Sequence, residues 1–380
     1  MDDMQYRPIG KTGLSASIIG LGTEHLDNKP YPLVEEVIHA ALEQGINMMD
    51  VFMPGEAVRG NIGKALAGNR EKVMIQGHLC SVDLREQYDV SRDLEVCKRY
   101  FDKLLTCLNT DYIDFGMLFI LDSHEAIDAV FDNGIVRYAQ DLKRQGVIRA
   151  LGASSHNPHT ASRIVESGVI DLLMFSINPA FDLMAGASDI KAMLTKDLAE
   201  LMHSFDPARA ELYRLCESRG VGITVMKTLG AGKLLSAEHT PFGRAMTPAQ
   251  CIHYALNRPA VVSTLIGCQS RQQVLDAVSY LNLSDEEKDY APAISSVKRD
   301  FRGSCVYCNH CLPCPSGIDI ATVNKYLDIA ALDEAKVPPS VRQHYAALAA
   351  HGSDCIECGS CEGRCPFGVP VAANMRRAAA

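Results

Sequence analysis

Cys305-Val-Tyr-Cys308-Asn-His-Cys311-Leu-Pro-Cys314-Pro315 is the stretch that decides how the C-terminal quarter of the chain folds. A second run, Cys355-Ile-Glu-Cys358-Gly-Ser-Cys361-Glu-Gly-Arg-Cys365-Pro366, follows it after an intervening segment. Together the two runs hold eight of the fourteen cysteines, and each run ends in Cys-Pro. Thiols clustered in this way in a long chain indicate metal binding rather than a disulfide framework.

The second run has the spacing C-x2-C-x2-C-x3-C-P, with which bacterial ferredoxins bind 4Fe–4S clusters, and the first run is one residue shorter before its last cysteine. In two-cluster ferredoxins the last cysteine of each run binds the cluster of the other run. The alternative is a pair of four-thiolate zinc sites, although zinc sites usually pair two C-x2-C knuckles for each metal. We expect one 4Fe–4S cluster on Cys305, Cys308, Cys311 and Cys365, and a second on Cys355, Cys358, Cys361 and Cys314.

The composition limits what kind of protein this is. Of its 380 residues 47% are apolar, which is enough for one large domain and a smaller one. The net charge is −9 and no basic stretch occurs, so nucleic acid is not expected as a partner. No apolar run approaches the length that spans a bilayer, and residues 1–7 do not have the pattern of a signal peptide. We therefore expect a cytoplasmic protein without a membrane partner.

Before the cysteine runs, short apolar runs alternate with amphipathic helical segments, after a hairpin pattern at residues 6–17. Eight such runs predict eight parallel strands, the number that closes a barrel. An open doubly wound sheet is the alternative, but no G-x-G-x-x-G follows the first strand. The predicted strands are Ser17–Thr23, Ile46–Phe52, Lys72–Leu79, Ile113–Leu121, Ile148–Ser154, Leu172–Asn178, Val221–Lys227 and Thr264–Cys268.

The predicted fold is α/β, with a (β/α)8 TIM barrel at residues 1–289 and a ferredoxin-like two-cluster iron–sulfur domain at residues 290–380. About thirty residues separate Asn178 from the helical pattern that begins at Ala208, and an excursion of that length after a strand is either a lid or an extra surface helix. Helical patterns are predicted at 32–44, 94–108, 125–145, 158–166 and 208–218.

Several motifs, in the same order, resemble the aldo/keto reductases, and most of all the branch that ends in a ferredoxin-like domain. They are Tyr6-Arg-Pro-Ile-Gly-Lys-Thr-Gly-Leu14, Ile19-Gly-Leu-Gly-Thr23, Thr110-Asp-Tyr-Ile-Asp114, Leu151-Gly-Ala-Ser154 and Met226-Lys-Thr-Leu-Gly-Ala-Gly232. The resemblance spans nearly the whole chain and implies the same barrel. It also implies reduction of carbonyls by NADPH, with an aspartate, a tyrosine, a lysine and a histidine at the C-terminal barrel face.

Only one member of that tetrad has a counterpart here, Asp50 at the end of the second strand. Gly55 stands where the resemblance implies the tyrosine, His78 where it implies the lysine, and Phe119 where it implies the histidine. The phenol that protonates the carbonyl oxygen in the family is therefore missing. The predicted catalytic residues are Asp50 and His78, because a carboxylate beside an imidazole favours its protonated form and leaves a competent general acid.

The cofactor motif after the eighth strand keeps Gly267 and Arg271, whose guanidinium would neutralise a phosphate of NADP(H) or cap a solvated helix. Ala277 stands where the family often places an asparagine near the adenine. Active sites of such barrels lie on the loops that follow the strands. Further polar residues at the strand ends are predicted to bind substrate or cofactor, or else to hydrogen-bond within their loops: Glu24, His25, Ser154, His156, Asn178 and Lys227.

The sequence predicts an iron–sulfur oxidoreductase that reduces or oxidises a small organic substrate at the barrel mouth. Electrons would pass through the two clusters from an external ferredoxin or flavoprotein. Because clusters exchange single electrons and NADPH gives hydride, a flavin would be needed to connect the two, so both NADP(H) and a flavin stay open as cofactors. One alternative is an NADPH carbonyl reductase with an atypical acid. Another is a non-catalytic barrel that serves as an electron relay or redox-sensing binding module.

Overall fold

The computed structural model describes residues 3–84, 87–183, 207–294, 303, 305, 307–331, 337 and 339–380. Contacts divide the chain into two units, which are described separately. The first comprises Met1–Ile177, Gly220–Thr228 and Val261–Ser284, and the second comprises Asn178–Arg219, Leu229–Ala260 and Asp285–Ala380. The domain boundary near residue 290 stays a prediction, and the lid predicted after Asn178 lies mostly outside the described residues.

The first unit contains a closed barrel of eight parallel strands, which confirms the predicted TIM barrel. Each of the eight predicted strands is present, within a few residues of its predicted bounds. Two antiparallel hairpins accompany the barrel, one formed by the first two strands and one inserted after the fifth. In chain order the strands are β1 (Tyr6–Pro8), β2 (Ser15–Ser17), β3 (Ile19–Gly22), β4 (Met48–Val51), β5 (Met74–Leu79), β6 (Ser81–Leu84), β7 (Gln87–Val90), β8 (Ile113–Leu118), β9 (Ile148–Ser155), β10 (Leu172–Ser176), β11 (Gly222–Met226) and β12 (Val261–Gly267).

The strands pair in the order β3-β4-β5-β8-β9-β10-β11-β12, and β12 pairs with β3 to close the barrel. Parallel pairing brings the C-terminal ends of all eight strands to one rim. At the opposite end, Ile9 and Ala16 of the first hairpin are fully buried in a core cluster with Met48, Phe115 and Leu172 from the starts of barrel strands. The hairpin therefore covers the N-terminal end of the barrel.

Helices alternate with the barrel strands, as the sequence pattern predicts. Their first turns are capped locally: Asp93 accepts a hydrogen bond from Val96 N, and Ser123 accepts one from Ala126 N. The predicted helix at 125–145 is two helices, because Gly134 takes a left-handed conformation with φ 76° between them. The helices are α1 (Tyr31–Glu43), α2 (Glu56–Ala65), α3 (Leu94–Leu108), α4 (His124–Asp132), α5 (Ile135–Arg144), α6 (Pro158–Glu166), α7 (Ala208–Arg219), α8 (Pro248–Leu256), α9 (Arg271–Val278), α10 (Asp285–Lys288), α11 (Ala291–Ile294), α12 (Ile320–Ala330), α13 (Pro339–Ala346), α14 (Ser360–Arg364) and α15 (Val371–Ala379).

The second unit contains α7, α8 and the helices from α10 onward. Within it, α12 packs against both α7 and α15. Asp319 caps α12 by accepting from Thr322 N, and the Thr247–Gln250 capping box begins α8. Among the described residues, none of the helices has the length and apolar character needed to cross a membrane.

Candidate functional site

Asp50 and His78 lie in contact at the C-terminal ends of the neighbouring strands β4 and β5. His78 Nε2 is 2.7 Å from Asp50 Oδ1, and because an ionised carboxylate only accepts, the imidazole donates this hydrogen bond. The two residues are 2% and 4% exposed. The contact expected from adjacent strand ends is therefore present, while the catalytic role of the pair stays a prediction.

Asp50 is held in place from several neighbouring strands. Gln76 Nε2 donates to the same Oδ1 atom at 3.4 Å, and Gln76 Oε1 accepts from Thr224 Oγ1 at 2.7 Å. Thr23 Oγ1 donates to the backbone oxygen of Asp50 at 2.6 Å. Sequence reasoning missed Gln76 and Thr224, although Gln76 is two residues before His78 and so points to the same side of its strand.

Aromatic rings cover the His78 imidazole. Phe119 meets it edge to face with ring centroids 5.1 Å apart, and Phe52 lies 6.2 Å away. Phe52 stacks on Phe119 at 5.7 Å and meets the ring of Tyr88, from the inserted β6–β7 hairpin, at 5.6 Å. The Nδ1 atom of His78 is buried and has no hydrogen-bond partner among the described residues. Buried nitrogens almost always find a partner, so this atom is the free polar position of the pair among the described residues.

Lys227 follows β11 at the same rim and has a left-handed backbone with φ 58°. Burial lowers the pKa of its ammonium, and the negative charges of Glu24, Asp122 and Asp50 partly offset that effect. Three carboxylates therefore act on one half-buried lysine near the strand ends. Glu24 itself is exposed.

A second histidine–aspartate pair lies after β8 and β9. His156 Nδ1 is 2.8 Å from Asp122 Oδ2, and the backbone nitrogen of His156 donates to Asp122 Oδ1 at 2.6 Å. Burial alone would raise the pKa of Asp122, but the hydrogen bonds and charge of His156 outweigh it and lower that pKa. Ser154 Oγ accepts from Ile120 N at 2.9 Å, so this hydroxyl supports the loop after β8.

The remaining predicted binding residues are distributed between the two units. The His25 imidazole lies so close to Gly267 that a Cβ atom on this glycine would collide with it. Arg271, at the start of α9, forms an exposed ion pair with Glu43 at 2.6 Å. Asn178 belongs to the second unit, where its Oδ1 accepts from Phe181 N at 2.9 Å.

The second unit contains two cavities, and four thiols line each of them. The thiols of the two cavities are the two sets of four expected from the sequence. We name the cavities after one cysteine in each. The Cys311 cavity is lined by Cys305, Cys308, Cys311 and Cys365. The Cys358 cavity is lined by Cys314, Cys355, Cys358 and Cys361. Ile320 and Val371 line both cavities and give each an apolar wall.

The two cavities differ in exposure. Burial raises the pKa of Cys308 to about 11 and that of Cys311 to about 12. Cys358, in contrast, is exposed, and a hydrogen bond with Ser360 lowers its pKa. No set of three or more His, Cys, Asp or Glu side chains within the described residues converges on a position for a single metal ion.

Arg364 ties the two cysteine runs together. From the second run, its guanidinium donates to the backbone oxygens of Cys311 and Pro313 in the first run, at 2.6 and 2.8 Å. This arrangement fits 4Fe–4S clusters, because each cavity offers four thiols from both runs and an apolar lining. Cys305, Cys308, Cys311 and Cys365 would hold one cluster and Cys314, Cys355, Cys358 and Cys361 the other, as in the interlocked ferredoxin pattern.

Comparison with known proteins agrees with this architecture. Residues 18–250 match the aldo/keto reductase family, and residues 304–370 match a 4Fe–4S dicluster domain. The chain belongs to the aldo/keto reductase family and carries a C-terminal 4Fe–4S dicluster domain. It is an oxidoreductase.

The relatives are distant. The chain is 24% identical over 300 residues to the uncharacterized oxidoreductase YqkF of Bacillus subtilis strain 168, covering 75% of this chain and 94% of that protein. The holo form of aldo-keto reductase AKR11C1 from Bacillus halodurans superposes with a TM-score of 0.59 at 22% identity, covering 77% and 96% of the two chains. Its apo form gives a TM-score of 0.52 at 21% identity over the same shares. These structural likenesses establish the fold alone.

Proposed function

We propose that this chain is an iron–sulfur oxidoreductase that passes electrons between an external carrier and a small organic substrate at the C-terminal face of its barrel. The observation that supports it most is the partition of eight thiols between the Cys311 and Cys358 cavities, four to each. When bound, 4Fe–4S clusters accept and release single electrons. A ferredoxin or a flavoprotein is a carrier of matching chemistry. Because such thiolate sites persist in reducing compartments, we propose a cytoplasmic location.

In the barrel, the Asp50 carboxylate orients the His78 imidazole through the Nε2 hydrogen bond. The Nδ1 atom is then the one left to donate a proton to a substrate that gains electrons. Phe52 and Phe119 keep water away from this nitrogen. A substrate must displace or slide beside these rings, which favours a flat and partly apolar molecule.

Direct hydride chemistry has less support. Gly55, which precedes α2, supplies no phenol. The ring of Phe119, which stands where the family has its histidine, packs edge to face against His78. The guanidinium of Arg271, the residue predicted to meet a phosphate of NADP(H), is paired with Glu43. The proposal therefore needs neither NADP(H) nor a flavin bound to this chain.

One observation favours a second candidate, an NADPH carbonyl reductase with an atypical acid. Tyr88 presents a phenol beside Phe52 and Phe119, on a hairpin that the family motifs do not include, and it is 48% exposed. In this candidate Tyr88 takes the part of the missing tyrosine. The two functions differ in their electron donor, so identifying the donor that supports turnover distinguishes them.

The test uses full-length protein reconstituted without oxygen. We expect about eight irons and eight sulfides per chain, following four thiols for each cluster. After chemical reduction, the clusters should be reoxidised by a small organic acceptor only when His78 is intact. Stoichiometric zinc without visible absorbance would overturn the cluster assignment. Reoxidation by a protein carrier alone, unaffected by loss of His78, would instead support the electron relay with a non-catalytic barrel.

A further inference from the structure

Arg258 is a buried charge among three tyrosines of the second unit. The residue follows α8 and is 6% exposed. Its Cζ atom lies 4.2 Å from the ring centroid of Tyr254 and 5.0 Å from that of Tyr307. A guanidinium nitrogen donates to Tyr290 Oη at 3.2 Å. Because arginine stays protonated in proteins, a permanent positive charge is enclosed by aromatic rings.

One of these rings belongs to the first cysteine run. Tyr307 stands between Cys305 and Cys308 in the first cysteine run and is 8% exposed. Its hydroxyl donates to Asp328 Oδ2 on α12 at 2.7 Å, which fixes the ring against that helix. Tyr290, which accepts the hydrogen bond from Arg258, is fully buried. The Arg258 charge is therefore separated from the first cysteine run by a single layer of rings.

The position of this charge is fixed by its surroundings. Tyr254, which packs against Arg258, donates its hydroxyl to Asp182 Oδ2 at 2.8 Å. The other oxygen of Asp182 accepts from Arg209 Nε at 3.0 Å and from the Tyr213 hydroxyl at 2.6 Å. Arg258 Nε also donates to the backbone oxygen of Tyr254 at 3.2 Å. Because buried partners hold the guanidinium, its positive charge keeps a fixed position beside Tyr307 of the first cysteine run.

The Cys358 cavity has a different environment. Cys358 is exposed, and Ile356 beside it is 67% exposed. Arg364 lines this cavity and is exposed, and the exposed Arg376 is paired with Glu357 at 2.7 Å. Water and salt screen a charge of that kind, whereas a charge in a buried site acts at close to full strength.

We propose that Arg258 raises the reduction potential of the cluster in the Cys311 cavity. This inference rests on the proposed function, because it takes a cluster in each cavity. Reduction adds one electron and one negative charge to a cluster, and a fixed positive charge nearby stabilises that reduced form.

The test is a redox titration of reconstituted full-length protein, followed by electron paramagnetic resonance. Arg258→Gln removes the charge and should move one midpoint potential to a more negative value while the other stays. Arg258→Lys keeps the charge and should stay close to wild type. Arg244→Gln removes an exposed arginine of the same unit and should change neither potential. The signal that shifts should be the one that disappears in Cys308→Ser.

Iron and sulfide are measured first. If the wild-type protein does not bind two clusters, the proposed function is wrong, and that result is distinguished from a failure of this inference. With both clusters present, unchanged potentials in Arg258→Gln overturn the inference, as do equal shifts in the glutamine and lysine variants. If Arg258→Gln does not assemble its clusters, Asp328→Asn decides. This change keeps an acceptor for Tyr307 and removes a negative charge, so the same potential should rise. An unchanged potential in Asp328→Asn contradicts the proposal.

Discussion

The Nε2 atom of His78 donates a 2.7 Å hydrogen bond to Oδ1 of Asp50, and neither side chain is open to solvent. In the aldo/keto reductases that this chain resembles, an aspartate and a lysine would stand at these strand ends. Here an imidazole takes the second place, and its other nitrogen has no hydrogen-bond partner among the described residues. The pair keeps a carboxylate hydrogen-bonded to an imidazole although the phenol is gone, and its catalytic role stays a prediction.

His78→Phe should lower the rate of substrate turnover by about 100-fold or more, the usual contribution of a general acid. The phenylalanine fills the same volume beside Phe119, so cluster content and reduction by the carrier should be unchanged. Stopped-flow reoxidation of the reduced clusters measures the rate. His159→Phe, an exposed histidine of α6, serves as the control and should turn over normally. A His78→Phe protein with full activity would show that the imidazole is not the acid.

Cys308→Ser and Cys358→Ser should each remove one cluster and leave the other, because their thiols line different cavities. Each variant should therefore bind about four irons instead of about eight. Iron and sulfide analysis measures this directly. Cys107→Ser changes a thiol outside both cavities and should retain the full iron content. Loss of all iron from both variants would indicate that the two cavities do not load independently.

NADPH alone should not reduce the clusters, and it should not support rapid turnover of simple aldehydes, because Gly55 provides no phenol. Oxidation of NADPH followed by its absorbance measures this. Brisk aldehyde reduction by NADPH would favour the second candidate function, and Tyr88→Phe should then abolish it. If that variant remained as active as wild type, Tyr88 would not be the acid either.

Asp182→Asn should lower the free energy of unfolding by about 3–5 kcal/mol, the usual effect of removing one partner of a buried ion pair. The substitution removes the negative charge beside Arg209 and weakens the acceptor of Tyr213 and Tyr254. Urea denaturation of the reconstituted protein, followed by circular dichroism, measures the change. Asp276→Asn, an exposed aspartate of α9, should stay within about 0.5 kcal/mol of wild type.

Asp122 should make stability depend on pH in the acid range. Its pKa in the folded chain lies below the ordinary value of 3.8, so its stabilising contribution is complete above that pH. The contribution is lost as the pH falls through the lowered pKa. The difference in unfolding free energy between wild type and Asp122→Asn should be about 1–2 kcal/mol near neutral pH and should shrink in acid. Because the two proteins are compared at the same pH, any loss of stability from cluster loss that both share drops out of the difference in unfolding free energy.

The sequence was sufficient to predict the barrel fold. Its cysteine spacing also groups the thiols in the same two sets of four that line the two cavities. Apolar runs that alternate with amphipathic segments leave a parallel barrel as the arrangement that buries them all. The ferredoxin spacing assigns each fourth cysteine to the opposite run, and Cys314 and Cys365 line the corresponding cavities. One helix pattern was too long because Gly134, in its left-handed conformation, divides it.

The surroundings of the candidate acid could not be foreseen. Tyr88 reaches Phe52 and Phe119 from a hairpin whose short strands have no strong apolar alternation. The contact between Arg258 and Tyr307 joins residues far apart in the chain, and a single sequence contains no signal for such a pairing. Local periodicity determines strands and helices, whereas side-chain neighbours depend on the tertiary fold.

The hairpin of β1 and β2 limits the routes by which a molecule could enter or leave the barrel. Ile9 and Ala16 are fully buried in an apolar cluster, so the hairpin closes the N-terminal end of the barrel. A molecule that binds at Asp50 would therefore enter at the C-terminal end of the barrel and leave by the same route. If the reaction takes place at Asp50 as proposed, product and incoming substrate would exclude one another, and a slowly departing product would competitively inhibit its own formation.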